Sequence, residues 1–373
     1  MAKTSGVKTL YIISKGIDKL SDEEIKRREE KNMHPRSSKL EEALSAEVLD
    51  ERYLSQKVPA IRRRIYKFFP VELAQVIETL IIHKKYDAIY SESERVGFPL
   101  ALVMKFLRIK TPHTMVIARI TSMNEKREKQ KKWFLEQTKE TVDLFIFWSS
   151  VQRNIAVNEL GVSPEKAKWI RRGIDQRFWH PVNTETDMIC SAGMEMRDYP
   201  TLVEALRSLD IPCHFAVGTA RGQIFETVQR LYNVDRMPEN ITVGKKSYRE
   251  LRKLYARSRF VVVALLPTDS DNGLTTILEA MAMGKAVICS RTEGQIDVIK
   301  EGETGIYVPA GDPAALRNAI IELWNDPALA ERMGKKGRER IEKYFRVEEF
   351  AADIRDEVSR VVNESRVLKT ARA

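Results

Sequence analysis

The segment 260–290 narrows the folds open to this chain more than any other stretch. An apolar run, FVVVALL (260–266), leads into a polar loop, PTDSDNG (267–273). The loop opens a helical pattern from about Thr275 to Met283, which Gly284 stops, and a second apolar run, AVICS (286–290), follows. Apolar runs this short, bounded by turn residues, suit strands buried in a parallel sheet. Two such strands joined through a helix N-terminus form the unit with which α/β proteins hold a phosphate, because the free N–H groups of a first helical turn attract anions. Asp271 precedes the helix and Glu279 lies inside it. A carboxylate at each end of a phosphate cradle suits a ligand with hydroxyl groups on both sides of a diphosphate. A nucleotide sugar has that shape.

The same grammar runs along the whole chain. In the first half, VKTLYIIS (7–14), YDAIYSES (86–93), HTMVIARI (113–120) and DLFIFWSS (143–150) read as strands, with FPLALVMKFL (98–107) as a helix among them. SDEEIKRREEKN (21–32) reads as a helix capped by Ser21 with Glu24 three residues on, 33–56 as more polar helix, and 58–82 as helix interrupted at Pro70. In the second half, strands at 188–193, 213–218, 241–244 and 305–312 alternate with helices at 201–209, 223–232, 247–258, 312–326 and 327–345, and 347–364 closes the chain as one more amphipathic helix. Alternating strands and helices predict two α/β layers with parallel sheets, joined near the polar HPVNTETD (180–187). The length, 373 residues, fits two domains.

Composition excludes several classes. No apolar run approaches the ~20 residues that a membrane span needs, and the apolar stretch near the N-terminus is too short for a signal-peptide core. The three cysteines, Cys190, Cys213 and Cys289, lack metal spacing and read as buried, reduced thiols of a cytoplasmic protein. No G-x-S-x-G, HExxH, Walker A or G-x-G-x-x-G motif occurs, which counts against hydrolase, zincin, NTPase and dinucleotide oxidoreductase readings. The net charge of +10 asks for an anionic partner. Its basic residues cluster beside aromatics in 57–69 (KVPAIRRRIYKFF) and 126–134 (KREKQKKWF), a pattern that suits an anionic membrane surface or, more blandly, a solvated helix face. No nucleic-acid-binding motif accompanies the charge.

Four segments of the second half resemble, in order and spacing, the family 4 (group 1) retaining glycosyltransferases of the GT-B fold. WIRRGIDQRFWHP (169–181) is similar to the family's linker strand, and SAGMEMRDYPTLVEAL (191–206) to its diphosphate-binding segment. ITVGKKSYRELRKLYARSRFVVVALL (241–266) resembles the strand and helix before its signature. DNGLTTILEAMAMGKAVICS (271–290) resembles the E-x7-E signature itself. The resemblance implies two Rossmann-like domains facing across a cleft: 1–182 for the acceptor, 183–345 for the nucleotide sugar, and 346–373 as a helix packing back on the first. It places Gly193, Arg197, Gly218, Gly244, Lys245, Asp271, Asn272, Gly273, Leu274, Thr275 and Glu279 at the donor. Asp271 would bind sugar hydroxyls, Glu279 the ribose, the N–H groups at 273–275 the diphosphate, and Arg197 its charge. Lys245, Lys246, Arg171 and Arg172 are further candidate cations, since Met194 stands where the family has its second one.

In the first half the resemblance is one of outline. Arg119 stands about where many members carry a histidine near the donor sugar, and arginine stays protonated, so it can bind phosphate or an acidic acceptor but cannot act as a base. With Asp271 and Arg197 it completes the expected catalytic set. Lys15 and Gly16, in the turn after the first strand, and Glu92 and Glu94, after YDAIY, are the expected acceptor-side residues. The family implies no cofactor beyond the UDP- or GDP-linked sugar, and no metal, so Asp269-Ser270-Asp271 is not read as a D-x-D metal site. The acceptor is a glycan, lipid or small molecule, reached at the inner face of a membrane if the basic runs bind one. Alternatives are a non-catalytic GT-B-like binding protein and another GT-B activity, a sugar-phosphate synthase or epimerase.

Overall fold

The computed structural model describes residues 6–14, 21–121, 125–217, 230–231 and 233–370. Contacts divide the chain into two compact units, one drawn from 1–19, 37–171 and 348–373, the other from 20–36 and 172–347. The chain therefore changes unit between Arg171 and Arg172, upstream of the polar stretch 180–187.

The first unit is built on a six-stranded parallel sheet of β1 (Thr9–Ile12), β2 (Glu47–Leu49), β3 (Ala88–Ser91), β4 (His113–Ile117), β5 (Leu144–Phe147) and β6 (Ala167–Trp169), in the order β2-β1-β3-β4-β5-β6. The strands β1, β3, β4 and β5 are short and buried on both faces, which is why they read as continuous apolar runs, whereas the edge strands β2 and β6 are only partly buried. The segment 33–56, expected to be helix, instead holds a short helix, Lys39–Ala43, and then β2, paired in parallel with β1. Glu47-Val48-Leu49 is too short to show a period, and its pairing with a buried neighbour decides its conformation. The interruption at Pro70 is observed: one helix spans Ala60–Tyr66 and the next Val71–Ile82. Ser21 caps the helix Asp22–Glu30, its hydroxyl accepting from the Glu24 backbone N–H at 3.1 Å.

The second unit repeats the architecture with β7 (Met188–Ala192), β8 (Cys213–Ala216), β9 (Ile241–Gly244), β10 (Ser258–Val263), β11 (Ala286–Arg291) and β12 (Gly305–Pro309), all parallel, in the order β12-β11-β10-β7-β8-β9. Its core packs Phe215, Phe260, Ile288, Leu202 and Tyr199 between the sheet and the helices Tyr199–Leu206 and Pro313–Asn325. The expected helix at 223–232 falls almost wholly outside the described residues. The final helix, Val347–Thr370, is longer than the sequence pattern suggests and belongs to the first unit. There Phe350 packs on Trp148 with ring centroids 5.3 Å apart, Glu357 meets Lys168 at 3.5 Å, and Arg366 meets Asp87 at 2.7 Å.

All three cysteines are buried and unbridged. Among the described residues no helix is long and apolar enough to cross a membrane.

Candidate functional site

In open α/β sheets ligands gather beyond the carboxyl ends of strands where the strand order reverses. In the second unit that point lies between β7 and β10. The loops leaving these two strands carry Gly193, Arg197, Asp271, Asn272 and Gly273, so the topology brings together what the sequence separates by some eighty positions.

The loop after β10 is tied down by its own side chains. Asn272 Nδ2 donates to Ser270 Oγ at 2.6 Å and Thr268 Oγ1 at 3.1 Å, and Gln295 Nε2 donates to the Asn272 carbonyl at 2.9 Å. Gly294 lies flat against the Asp269–Ser270 backbone, where a Cβ would collide. The loop hands over to the helix Leu274–Ala282 at Gly273, whose φ of 88° is left-handed and whose missing Cβ would sit 2.9 Å from Val263 Cγ1. Glycine is required here on both counts. No side chain caps this helix. The Leu274 N–H donates to the Asp271 carbonyl at 3.1 Å, which leaves the next N–H groups of the first turn for an anion, with Thr275 exposed beside them.

Two carboxylates bracket this terminus. Asp271 is half-buried, and no other described residue hydrogen-bonds its carboxylate. Burial pushes its pKa up to about 6, opposed chiefly by the charge of Arg172. Glu279, 6% exposed inside the helix, accepts from Tyr255 Oη at 2.9 Å. Burial pushes it up to about 7 against the pull of Tyr255, Arg197 and Arg172. A charge-capable side chain buried among Leu278, Ala280 and Met281 is costly unless it has work to do. Tyr255 was not singled out in the sequence. Its position in the amphipathic helix Tyr248–Arg257 marks a core residue, and only the fold shows where its hydroxyl ends.

The cations divide differently from the expectation. Arg197 is 4% exposed, and its guanidinium donates to the Ala192 carbonyl at 2.8 Å, the Glu195 carbonyl at 2.9 Å and Thr276 Oγ1 at 2.9 Å. It braces the loop after β7 against the helix N-terminus, and its planar fork is packed over Gly193, whose φ is 100°. Arg172 is exposed, makes no hydrogen bond or ion pair among the described residues, and its charge reaches both Asp271 and Glu279. Gly244 ends β9, with Lys245 exposed beyond it. Gly218 lies outside the described residues. Asp269 and Asp271 share the loop, and among the described residues no group of three or more His, Cys, Asp or Glu side chains could hold a metal ion.

In the first unit the strand order reverses between β1 and β3. Lys15 and Gly16 lie outside the described residues. Glu92 accepts from Tyr11 Oη at 3.1 Å, and Glu94 is bridged by Lys131 at 2.8 Å. Arg119 is half-buried after β4, and its carbonyl accepts from Lys131 Nζ at 2.6 Å. His113 is fully buried with Nε2 2.9 Å from Ser91 Oγ, and burial drives its pKa down to about 4, so it is a neutral core residue.

Comparison with known proteins bears on the fold and on the chemistry it carries. Residues 199–340 match the sequence model of the family described as glycosyl transferases group 1. Over 290 residues, 77% of this chain and 79% of its relative, the chain is 20% identical to an uncharacterized glycosyltransferase of Methanocaldococcus jannaschii. Among solved structures it is similar to a sucrose-phosphate synthase from Thermosynechococcus elongatus, with a TM-score of 0.72 and 18% identity, covering 96% of this chain and 100% of that one. It is also similar to Anabaena HepE in complex with UDP-glucose, with a TM-score of 0.69 and 16% identity, covering 95% and 99%. The fold is GT-B, and the match over 199–340, which takes in most of the candidate site, supports glycosyl transfer as its chemistry.

Proposed function

We propose that this chain moves a sugar from a UDP- or GDP-linked donor to an acceptor hydroxyl, with retention at the anomeric carbon and without a metal ion. The observation that carries the reading is the pair Asp271 and Glu279, two burial-shifted carboxylates on either side of an uncapped helix N-terminus, both within reach of Arg172. The UDP and UDP-glucose bound in similar folds support it.

In this reading the diphosphate rests on the N–H groups of Gly273 and Thr275, since that of Leu274 is taken by the Asp271 carbonyl. Glu279 hydrogen-bonds the ribose hydroxyls, and Asp271 those of the sugar. An aspartate carboxyl reaches less far than a glutamate, so the sugar sits closer to the loop than a glutamate would hold it. As the bond from the anomeric carbon to the diphosphate breaks, negative charge collects on the departing oxygen. Donors already in place lower that barrier without reorganising. Arg197 supplies fixed positive potential from behind the helix terminus, and Arg172 supplies a mobile cation in front. The acceptor oxygen bonds to the same face, and its proton passes to the departing phosphate oxygen, so no protein base is needed.

A thermal-shift screen against UDP, GDP, ADP and their sugars tests donor binding, because a bound nucleotide stabilises the fold according to its affinity. No shift with any of them would remove the reading. Slow hydrolysis of one donor, lost in Glu279→Ala, separates an enzyme from a non-catalytic binder. The anomeric configuration of the first product, followed by NMR, tests retention.

A further inference from the structure

The two basic runs beside aromatics have different fates in the fold. In the helix Glu125–Thr138 the charge is largely spent at home. Lys129 pairs with Glu125 at 2.6 Å, Lys132 with Glu128 at 2.7 Å, and Lys131 with Glu94 at 2.8 Å. Phe134 stacks on Phe98 with centroids 5.9 Å apart. This run is a solvated, self-neutralised helix face.

The run 57–69 is arranged the other way. In the helix Ala60–Tyr66 only one stripe faces the protein. Tyr66 donates to Glu78 Oε2 at 2.8 Å, and Arg62 pairs with Glu78 Oε1 at 3.1 Å. An adjoining, solvent-facing side carries Ile61, Ile65 and Phe68 at helical spacing, 77%, 48% and 87% exposed. Phe69 and Leu73 are exposed beside them. Arg64 and Lys67 lie beside the stripe, while Arg63, whose Nη1 donates to the Ser55 carbonyl at 2.8 Å, lies farther round the helix; among the described residues none of the three has an acidic partner. Single exposed apolar residues need no explanation, but an apolar stripe fringed by uncompensated cations does.

We propose that the face formed by Ile61, Ile65, Phe68 and Phe69 with Arg64 and Lys67 docks this unit on an anionic lipid bilayer. The chemistry matches on both counts. Large apolar side chains enter the acyl boundary while cations meet the headgroups, and neither alone anchors a protein well. A second protein copy would offer this surface the same positive charge, so self-association is disfavoured where lipid phosphate is favoured. The face also sits at a meaningful end of the sheet. The helix Val71–Ile82, which follows it directly, holds the ends of β1 and β2 through Gln75, whose Nε2 donates to the carbonyls of Ile13 and Leu49 at 2.9 Å and whose Oε1 accepts from Ser14 Oγ at 3.2 Å. A bilayer held there lies next to the switch point of the first sheet, where a lipid-borne hydroxyl would be delivered. Docking itself does not depend on the nucleotide-sugar reading.

Co-sedimentation of the full chain with phosphatidylcholine vesicles, with and without phosphatidylglycerol, tests the proposal. Binding is expected with the anionic vesicles only, falling as salt rises. The double variant Ile61→Ser, Phe68→Ser and the double variant Arg64→Glu, Lys67→Glu each lower the bound fraction by about tenfold, while Lys129→Glu leaves it unchanged. A dye on Phe68→Cys shifts to the blue on mixing with anionic vesicles and not with neutral ones. Melting temperature and the nucleotide-induced shift stay as in the parent, since the substituted side chains are exposed. Equal sedimentation of parent and both double variants overturns the proposal. So does a dimer in light scattering that Phe68→Ser dissociates without any vesicle binding, which would assign the face to a second copy.

Discussion

The two sheets end in similar loops, yet their carboxylates are treated in opposite ways. At the switch point of the second sheet no other described residue hydrogen-bonds the Asp271 carboxylate, Glu279 accepts from the Tyr255 phenol, and burial lifts both above the ordinary carboxylate range. At that of the first sheet Glu92 is held by Tyr11 and Glu94 by Lys131. A carboxylate with an ion-pair partner, as Glu94 has in Lys131, is satisfied, whereas carboxyls that burial pushes up keep acceptor capacity that a ligand's hydroxyl groups can fill. The difference teaches where binding energy is available: in the second unit it is concentrated at the helix N-terminus.

The sharpest way to break this contrast is Glu279→Ala. It is expected to abolish the nucleotide-induced shift in melting temperature and to slow donor hydrolysis by ~100-fold or more, whereas Glu92→Gln changes neither appreciably. An unaffected Glu279→Ala protein would place the nucleotide elsewhere. Next in size is the pH dependence of stability. A carboxyl whose pKa is higher in the folded than in the unfolded chain keeps its proton longer when folded. Glu279 therefore costs nothing below about 4.5 and destabilises the free protein progressively as pH rises through about 7. Glu279→Gln should remove a fall of up to about 3 kcal/mol across that window, read from denaturant melts at several pH values; the same slope in both proteins would refute it.

Gly273→Ala comes third. A Cβ at φ 88° costs about 1–2 kcal/mol and also crowds Val263, so the melt should drop and nucleotide affinity fall with it. Tyr255→Phe is smaller in scope, since it deletes only the hydroxyl that holds Glu279. Nucleotide affinity should weaken about tenfold, as for one hydrogen bond to a charged group, with the Glu279 transition moving to higher pH. A purely structural tyrosine would lower stability and leave that transition where it was. Smallest of all, Arg119→Ala should leave the nucleotide-induced shift unchanged, because Arg119 belongs to the first unit, while any loss of transfer would show that it meets the sugar or the acceptor.

Much of this was legible before the fold was seen. The strands of both sheets show as short apolar runs because parallel strands are buried on both faces. The helix at 274–282 shows through its Gly273 entry and Gly284 exit, both with positive φ. Asp271 and Glu279 stand out as acids in apolar surroundings. What could not be read was the edge strands β2 and β6, three residues long each, and the split of labour between Arg197 and Arg172. Both arginines are equally cationic in a sequence. One is consumed by two carbonyls and a threonine hydroxyl, and the other is left free. Of the two basic runs, the second carries local acids, Glu125 and Glu128, at i,i+4 to Lys129 and Lys132, and only its pairing of Lys131 with Glu94 needed the fold.

The sequence by itself determined the two α/β layers, the phosphate-holding turn and the carboxylates around it, since all of these follow from local pattern and backbone preference within a few residues. Only the tertiary structure decided which charges are free, because a charge is cancelled or left available by whatever the fold brings within a few ångströms of it, and some of those neighbours, such as Thr276 for Arg197 and Glu94 for Lys131, are distant in the chain.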